Sequence, residues 1–273
     1  MSKLMTIKDA VNLIKDGDIL GIGGNVLHRA PMALVREIIR TQKKHLKIVK
    51  TAGAMDIDML CLGECVDSVD AGFVSYEREF ALANHYRKAV QNGIVKANEH
   101  ACYTVISALR ASSYGIPFMP VRGLVAGDLI EVNDYFTRIN NPFGDEKVTV
   151  VKAITPDVAI IHAQEADEEG NVRILGPQFE DILLAKASKK VIASVERIVP
   201  GSKFAQPGEN ADIPYFLVSG IVHIPQGASP CSCHGCYDID RNSIKAFKDL
   251  TDKSKLADYL FSYESKDRGH YNG

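Results

Sequence analysis

The chain has no excess of charge of either sign: 32 basic and 34 acidic side chains leave a formal net charge of -2. That balance supplies no bulk pull toward nucleic acid or an anionic membrane, so neither is an expected partner, and any anionic ligand must be met by a local site. Long apolar runs are also missing. The opening stretch MSKLMTIKDAVNLIKDGD breaks its apolar positions with Lys and Asp, unlike a signal peptide, and no later run reaches membrane-spanning length. Cysteine is sparse, six in 273 residues, three of them being Cys231, Cys233 and Cys236. Without an export signal, reduced thiols and a cytoplasmic location are expected, and disulfides are not. No internal repeat or low-complexity tract is present.

What is present is a 46% hydrophobic composition, enough for a full core. Thr6-Ile-Lys-Asp9 reads as a helix start, with Val11, Leu13 and Ile14 forming a face that ends near Gly17. Ile19 to Ile22 reads as a strand, Gly23-Gly24-Asn25 as a turn, and Pro31 opens a helix with Val35, Ile38 and Ile39 on one face. Further strands are expected at Leu46–Val49, Val66–Ala71, Gly93–Val95, Val158–His162 and Val191–Val195. Helices are expected around Asp56–Leu62, Phe80–Gln91 and Phe179–Ala187. Cys102, Val105, Ile106 and Leu109 share one helical face, which places Glu99 at or just before that helix's first turn. This alternation argues for an open, mostly parallel sheet flanked by helices, one α/β domain over residues 1–273. Residues 117–145 loosen into Pro, Gly, Asn and Asp and read as a functional loop; residues 241–263 read as helical.

Gly21-Ile-Gly23-Gly24-Asn25 follows a strand and precedes a helix, so its amides and the helix dipole suit a phosphate or a carboxylate. It lacks the Lys-Ser/Thr of a P-loop and the third glycine of a dinucleotide fingerprint, which weakens ATP and NAD readings. A tight structural turn and a ligand loop both remain open. His28 and Arg29 extend it with groups that a substrate carboxylate would need, the alternative being a surface Arg and a packed His. His162 reads as a core histidine, and Asp167-Glu168-Glu169 as a solvated turn. Cys231-Ser-Cys233-His234-Gly-Cys236 concentrates soft ligands but lacks a separated second half, Cys61 and Cys65 being remote, so a loop of small residues without metal is the expectation.

Several ordered segments resemble one family. Asp16 to Leu34, Phe73-Val-Ser-Tyr-Glu77, Gly115-Ile-Pro-Phe-Met-Pro-Val-Arg122, His162 to Val172, Ala187 to Ile192, Val195-Glu-Arg-Ile-Val199 and Tyr237-Asp-Ile-Asp240 resemble family I CoA-transferase α subunits of the glutaconate CoA-transferase type. The resemblance implies the CoA-transferase α/β fold, a β-subunit partner, a heterodimer or heterotetramer, and a CoA thioester as substrate with no permanently bound cofactor. It implies transfer of CoA to a carboxylic or dicarboxylic acid through a glutamate that the β subunit carries, since no segment here resembles that glutamate's motif. It also implies that Gly23, Gly24, Asn25, His28, Arg29, Ser75 and Arg122 bind substrate. A branch resembling steroid-ring-cleaving CoA hydrolases implies a second reading, with Glu99 as general base in an apolar cleft, against the simpler role of complementing a helix N-terminus. A third reading is a non-catalytic scaffolding subunit.

Overall fold

The computed structural model describes residues 2–122 and 128–267. Its strands are β1 (Ile19–Ile22), β2 (Leu46–Gly53), β3 (Val66–Val74), β4 (Lys96–Glu99), β5 (Phe118–Pro120), β6 (Phe136–Asn140), β7 (Lys147–Lys152), β8 (Val158–Ala166), β9 (Val172–Arg173), β10 (Val191–Ile198) and β11 (Gly220–His223). Its helices are α1 (Ile7–Asn12), α2 (Met32–Arg40), α3 (Met55–Leu62), α4 (Glu77–Phe80), α5 (Asn84–Gln91), α6 (Cys102–Ser113), α7 (Leu129–Val132), α8 (Asp181–Ala187), α9 (Arg241–Lys248), α10 (Leu256–Phe261) and α11 (Glu264–Asp267).

The main sheet runs in the order β11-β10-β8-β1-β2-β3-β4, with every neighbouring pair parallel; short β9 joins β8 antiparallel. Every residue of β8 is buried, as expected of a central strand covered on both faces. Alternate side chains serve two cores. Val158 and Ile160 join α1, α2, α3, α9 and α10 on one face; Ala159, Ile161 and Ala163 join α6 and α8 on the other. Each fully buried Ile or Leu there contributes about 1.5–3 kcal/mol of transfer free energy. Thr6 caps α1 as its sequence predicts, accepting from Asp9 N–H at 3.1 Å.

Four expectations need correction. α1 ends at Asn12, well before Gly17. The helix expected over Phe80–Gln91 is broken by Ala81 at φ 57°, which separates α4 from α5. Gly93, at φ 69°, is the turn that ends α5, so the fourth strand starts only at Lys96 and Glu99 is its last residue. The supposed loop over 117–145 holds β5 and β6, which pair antiparallel with β7; Val121, Phe136 and Val151 pack with Val105 and Leu109 of α6. Short, polar edge strands leave little apolar periodicity to read.

β1 leads through α2 to β2 and onward to β4, while its neighbour β8 leads the other way to β10 and β11. The chain therefore diverges between β1 and β8, and the crevice at their carboxyl ends is where open α/β sheets receive ligands.

Candidate functional site

The turn after β1 is held from three sides. Gly23 N–H donates to Ile160 O at 2.9 Å, and Gly24 N–H donates to Asp181 Oδ1 at 2.9 Å. Gly24 has φ 70°, and a Cβ there would lie 2.5 Å from the Arg29 carbonyl oxygen; one on Gly23 would lie 2.2 Å from the Asp181 carboxylate. Only glycine fits. The turn thus receives a carboxylate, as its amides predict, but from the first residue of α8.

Asp181 Oδ2 takes Arg29 Nη2 at 2.7 Å, and Arg29 also donates to the carbonyls of His162 (2.8 Å) and Pro177 (3.1 Å). Arg29 and Asp181 are both buried, 2% and 1% exposed. The carboxylate that Arg29 holds within this chain is thus an internal one. A second buried pair backs the turn. Lys50 Nζ donates to Gly23 O at 2.7 Å and to Asp56 Oδ2 at 2.5 Å, while Asp56 Oδ1 accepts the amides of Ala54 and Ile57. Such pairs add little net stability but are costly to halve, so they fix geometry.

Beside the turn lies a small niche lined by Gly24, Lys50, Thr51, Leu109 and Glu180. Burial pushes the Glu180 carboxyl above its ordinary range, and the Asp181 charge adds to this against a hydrogen bond from Thr51. Cys102, the first residue of α6, donates its thiol to Thr51 O at 3.5 Å, and burial raises its pKa as well. α6 comes this close because Gly72 has no side chain; a Cβ there would sit 2.2 Å from Cys102 N.

Outside the turn opens a cleft of about 690 Å³, lined among others by His28, Arg29, Phe179, Ser232, His234 and Tyr237. His28 is exposed, its Nδ1 2.8 Å from Ser232 Oγ, and Arg29 N–H donates to Ser232 O at 2.7 Å. The structure thereby joins two segments that the sequence left separate, the glycine loop and the cysteine-rich segment. Behind the cleft wall, Tyr237 O–H donates to Glu196 Oε1 at 2.6 Å, Glu196 Oε1 is 2.7 Å from His162 Nε2, and His162 Nδ1 is 2.8 Å from Ser194 Oγ. Burial would raise Glu196, but its bonds from His162, Tyr237 and the Gln226 amide outweigh this and hold it below the ordinary carboxylate range. His162 is a core residue, although it lies within β8 rather than at its end.

Lys50, Asp56, Glu180, Asp181, Glu196 and Tyr237 were not singled out by sequence. One signal was available: His162 and Gln164 in β8, and Ser194 and Glu196 in β10, alternate as polar positions within apolar strands, and His162 is in register with Ser194.

The other expected residues are more scattered. Asn25 is half-buried and closes a tight turn, exchanging backbone hydrogen bonds with His28 at 2.9 and 2.8 Å. Ser75, just after β3, donates its hydroxyl to Ala81 O at 2.8 Å. Arg122 is exposed and is the last residue of the first described stretch. Glu99 ends β4 at the same carboxyl edge; it is exposed, and Ala101, not Glu99, holds the N-cap position of α6. Cys231 belongs to the larger core, as do Cys61 and Cys65, while Cys236 is exposed at the cleft. No helix among the described residues is long and apolar enough to cross a membrane.

The chain matches the family model for Coenzyme A transferase over residues 4–223. It is 30% identical to the A-type subunit of the Acidaminococcus fermentans glutaconate CoA-transferase, over 99% of this chain and 91% of that protein, and the solved structure of that enzyme superposes with a TM-score of 0.85 over 98% of this chain and 94% of that one. It is likewise 30% identical to a cholesterol ring-cleaving hydrolase IpdA subunit of Rhodococcus jostii, over 83% of this chain and 79% of that protein. A solved variant of the decarboxylase AibA/AibB is 31% identical, with a TM-score of 0.88 over 97% of this chain and all of that one (100%). The chain spans 56% of the length of an uncharacterized Archaeoglobus fulgidus protein to which it is 34% identical. With the parallel sheet, the glycine turn at its switch point and these matches together, the chain belongs to the coenzyme A transferase family, as one of its A-type subunits.

Proposed function

We propose that the chain is the A-type half of a heteromeric enzyme that transfers CoA from an acyl-CoA to a carboxylic acid, a dicarboxylic acid such as glutaconate being the first to test. A β-type partner supplies the attacking glutamate, and the two chains form a heterodimer or heterotetramer. The observation that carries this reading is the state of the carboxylates at the turn: Asp181 and Asp56 are each held by a buried cation, so neither is free to attack a thioester, and Glu180 sits half-buried in the niche against Thr51. The open cleft is lined instead by the hydrogen-bonding side chains of His28 and Ser232, with the acidic Asp238 exposed at its rim. This is one wall of a site for an anionic acyl group, with exposed Phe73, Tyr103 and Phe179 offering an apolar surface to a second chain.

A second reading rests on Glu99. It stands at the carboxyl end of β4, on the edge where this sheet receives ligands, and a partner closing over it would desolvate it into a general base for hydrolysis of a CoA-bound substrate. Relatives named as a transferase, a hydrolase and a decarboxylase show why the family alone does not choose the reaction.

The test uses the purified two-chain complex. With acyl-CoA alone the partner should gain a CoA thioester, seen by intact mass, and turnover should require an acceptor acid. Turnover without acceptor, with no adduct, overturns the transferase reading; released carbon dioxide would point to decarboxylation, and abolished turnover in Glu99→Gln to hydrolysis.

A further inference from the structure

Cys233-His234-Gly235-Cys236 is a Cys-x-x-Cys turn. Cys236 N–H donates to Cys233 O at 2.9 Å, and Gly235 sits at φ 74°, the left-handed third position that a type II turn requires. The turn brings the Cys236 thiol near enough to Cys233 to act on it electrostatically. In sequence this motif lacks its second half. In the fold, β8 and β10 bring one: His162, Glu196 and Cys233 are all buried, and an imidazole nitrogen, a carboxylate oxygen and the Cys233 sulfur lie within 4.8 Å of one another.

The surroundings orient these groups as outer-shell partners orient metal ligands. Ser194 Oγ lies 2.8 Å from His162 Nδ1 and donates onward to Ile161 O at 3.5 Å, so it can accept the Nδ1 proton and leave the Nε2 lone pair free. Gly227 makes room for the ring, since a Cβ there would stand 2.8 Å from His162 Cε1. The Gln226 amide holds Glu196 Oε2 at 2.8 Å and the Tyr237 hydroxyl holds Oε1.

We propose that His162, Glu196 and Cys233 form the core of a site for a borderline-soft divalent cation of the zinc type, which the neighbouring Cys236 thiol completes by turning toward it, so that one nitrogen, one oxygen and two thiolates surround the cation. That donor set suits a four-coordinate site, and its two thiolates disfavour magnesium and calcium. Binding releases both thiol protons, and the bond between His162 and Glu196 opens: the proton that Nε2 gives to Glu196 in the metal-free chain leaves that nitrogen, Nδ1 stays protonated toward Ser194, and Nε2 and the carboxylate both face the cation. The cation ties the 231–238 segment, one wall of the cleft, to the two central strands.

The test is made on the full chain, alone and with its partner, after chelator stripping and dialysis. Titration with Co²⁺ should give one equivalent with a thiolate-to-metal charge-transfer band, displaced by one equivalent of Zn²⁺, and Zn²⁺ should raise the Tm. Cys233→Ser should abolish the band and the Tm response. Cys236→Ser, at an exposed position that folding tolerates, should weaken the band and the affinity, while Cys102→Ser should leave both unchanged. A band that survives Cys233→Ser and Cys236→Ser, an adventitious ion only, or no stoichiometric binding by the folded wild-type chain, overturns the proposal.

Discussion

Replacing Asp181 by Asn separates the two roles that Arg29 could have. The change keeps the side-chain shape and an oxygen for the Gly24 amide at 2.9 Å, but removes the charge facing Arg29 Nη2 at 2.7 Å. Arg29 is 2% exposed, so its charge would be left buried with only two carbonyl acceptors. Halving a buried pair costs about 3–5 kcal/mol, and the surviving carbonyl bonds place this site toward about 3. At about 2–4 °C per kcal/mol for a domain of this size class, the Tm should fall by about 6–12 °C. Arg29→Met combined with Asp181→Leu removes both charges and should recover part of the loss, a coupling of about 0.5–3 kcal/mol. Urea midpoints at constant m would confirm that the loss is one of stability. A cost below about 1 kcal/mol, together with a raised KM for the carboxylic acid, would refute the internal pairing and return Arg29 to the substrate.

Gly24→Ala should destabilise by more than about 1 kcal/mol, because φ is 70° and the new methyl would lie 2.5 Å from the Arg29 carbonyl; thermal unfolding measures it. Glu165 accepts from Lys203 at 2.8 and 2.9 Å and from Arg197 at 3.0 Å; burial pushes its pKa up, but these bonds outweigh burial and the net shift is downward. A depressed carboxylate stabilises fully above its unfolded value of about 4.3 and loses that contribution as the pH falls through its lower folded value. Glu165→Gln should therefore be less stable than wild type at neutral pH and lose less on acidification, as denaturant midpoints between about pH 6 and 3 would show.

Much of the fold was legible because its cause is local. The apolar runs of β1, β2, β8 and β10, the Thr6 cap, and Val105 and Leu109 of the expected Cys102-Val105-Ile106-Leu109 face each follow from residues close together in the chain. Legibility failed where one residue sets a boundary through an unusual dihedral, as at Ala81, and where short strands pair across long separations, as β5 does with β7. The proposed cation site shows the same limit. Cys233 and Cys236 are visible as a motif, whereas His162 and Glu196 join them only because β8 and β10 are neighbours in register.

The sequence by itself determined that a glycine turn follows β1 and that its amides suit an anion, a phosphate or a carboxylate, since both follow from residues within a short stretch of chain. Only the tertiary structure decided which carboxylate arrives. Asp181 lies 157 residues beyond Gly24 and reaches it because β1 and β8 stand side by side and α8 begins beside their carboxyl ends. No local pattern records that meeting, and it ties Arg29, in the wall of the cleft, to a carboxylate of its own chain.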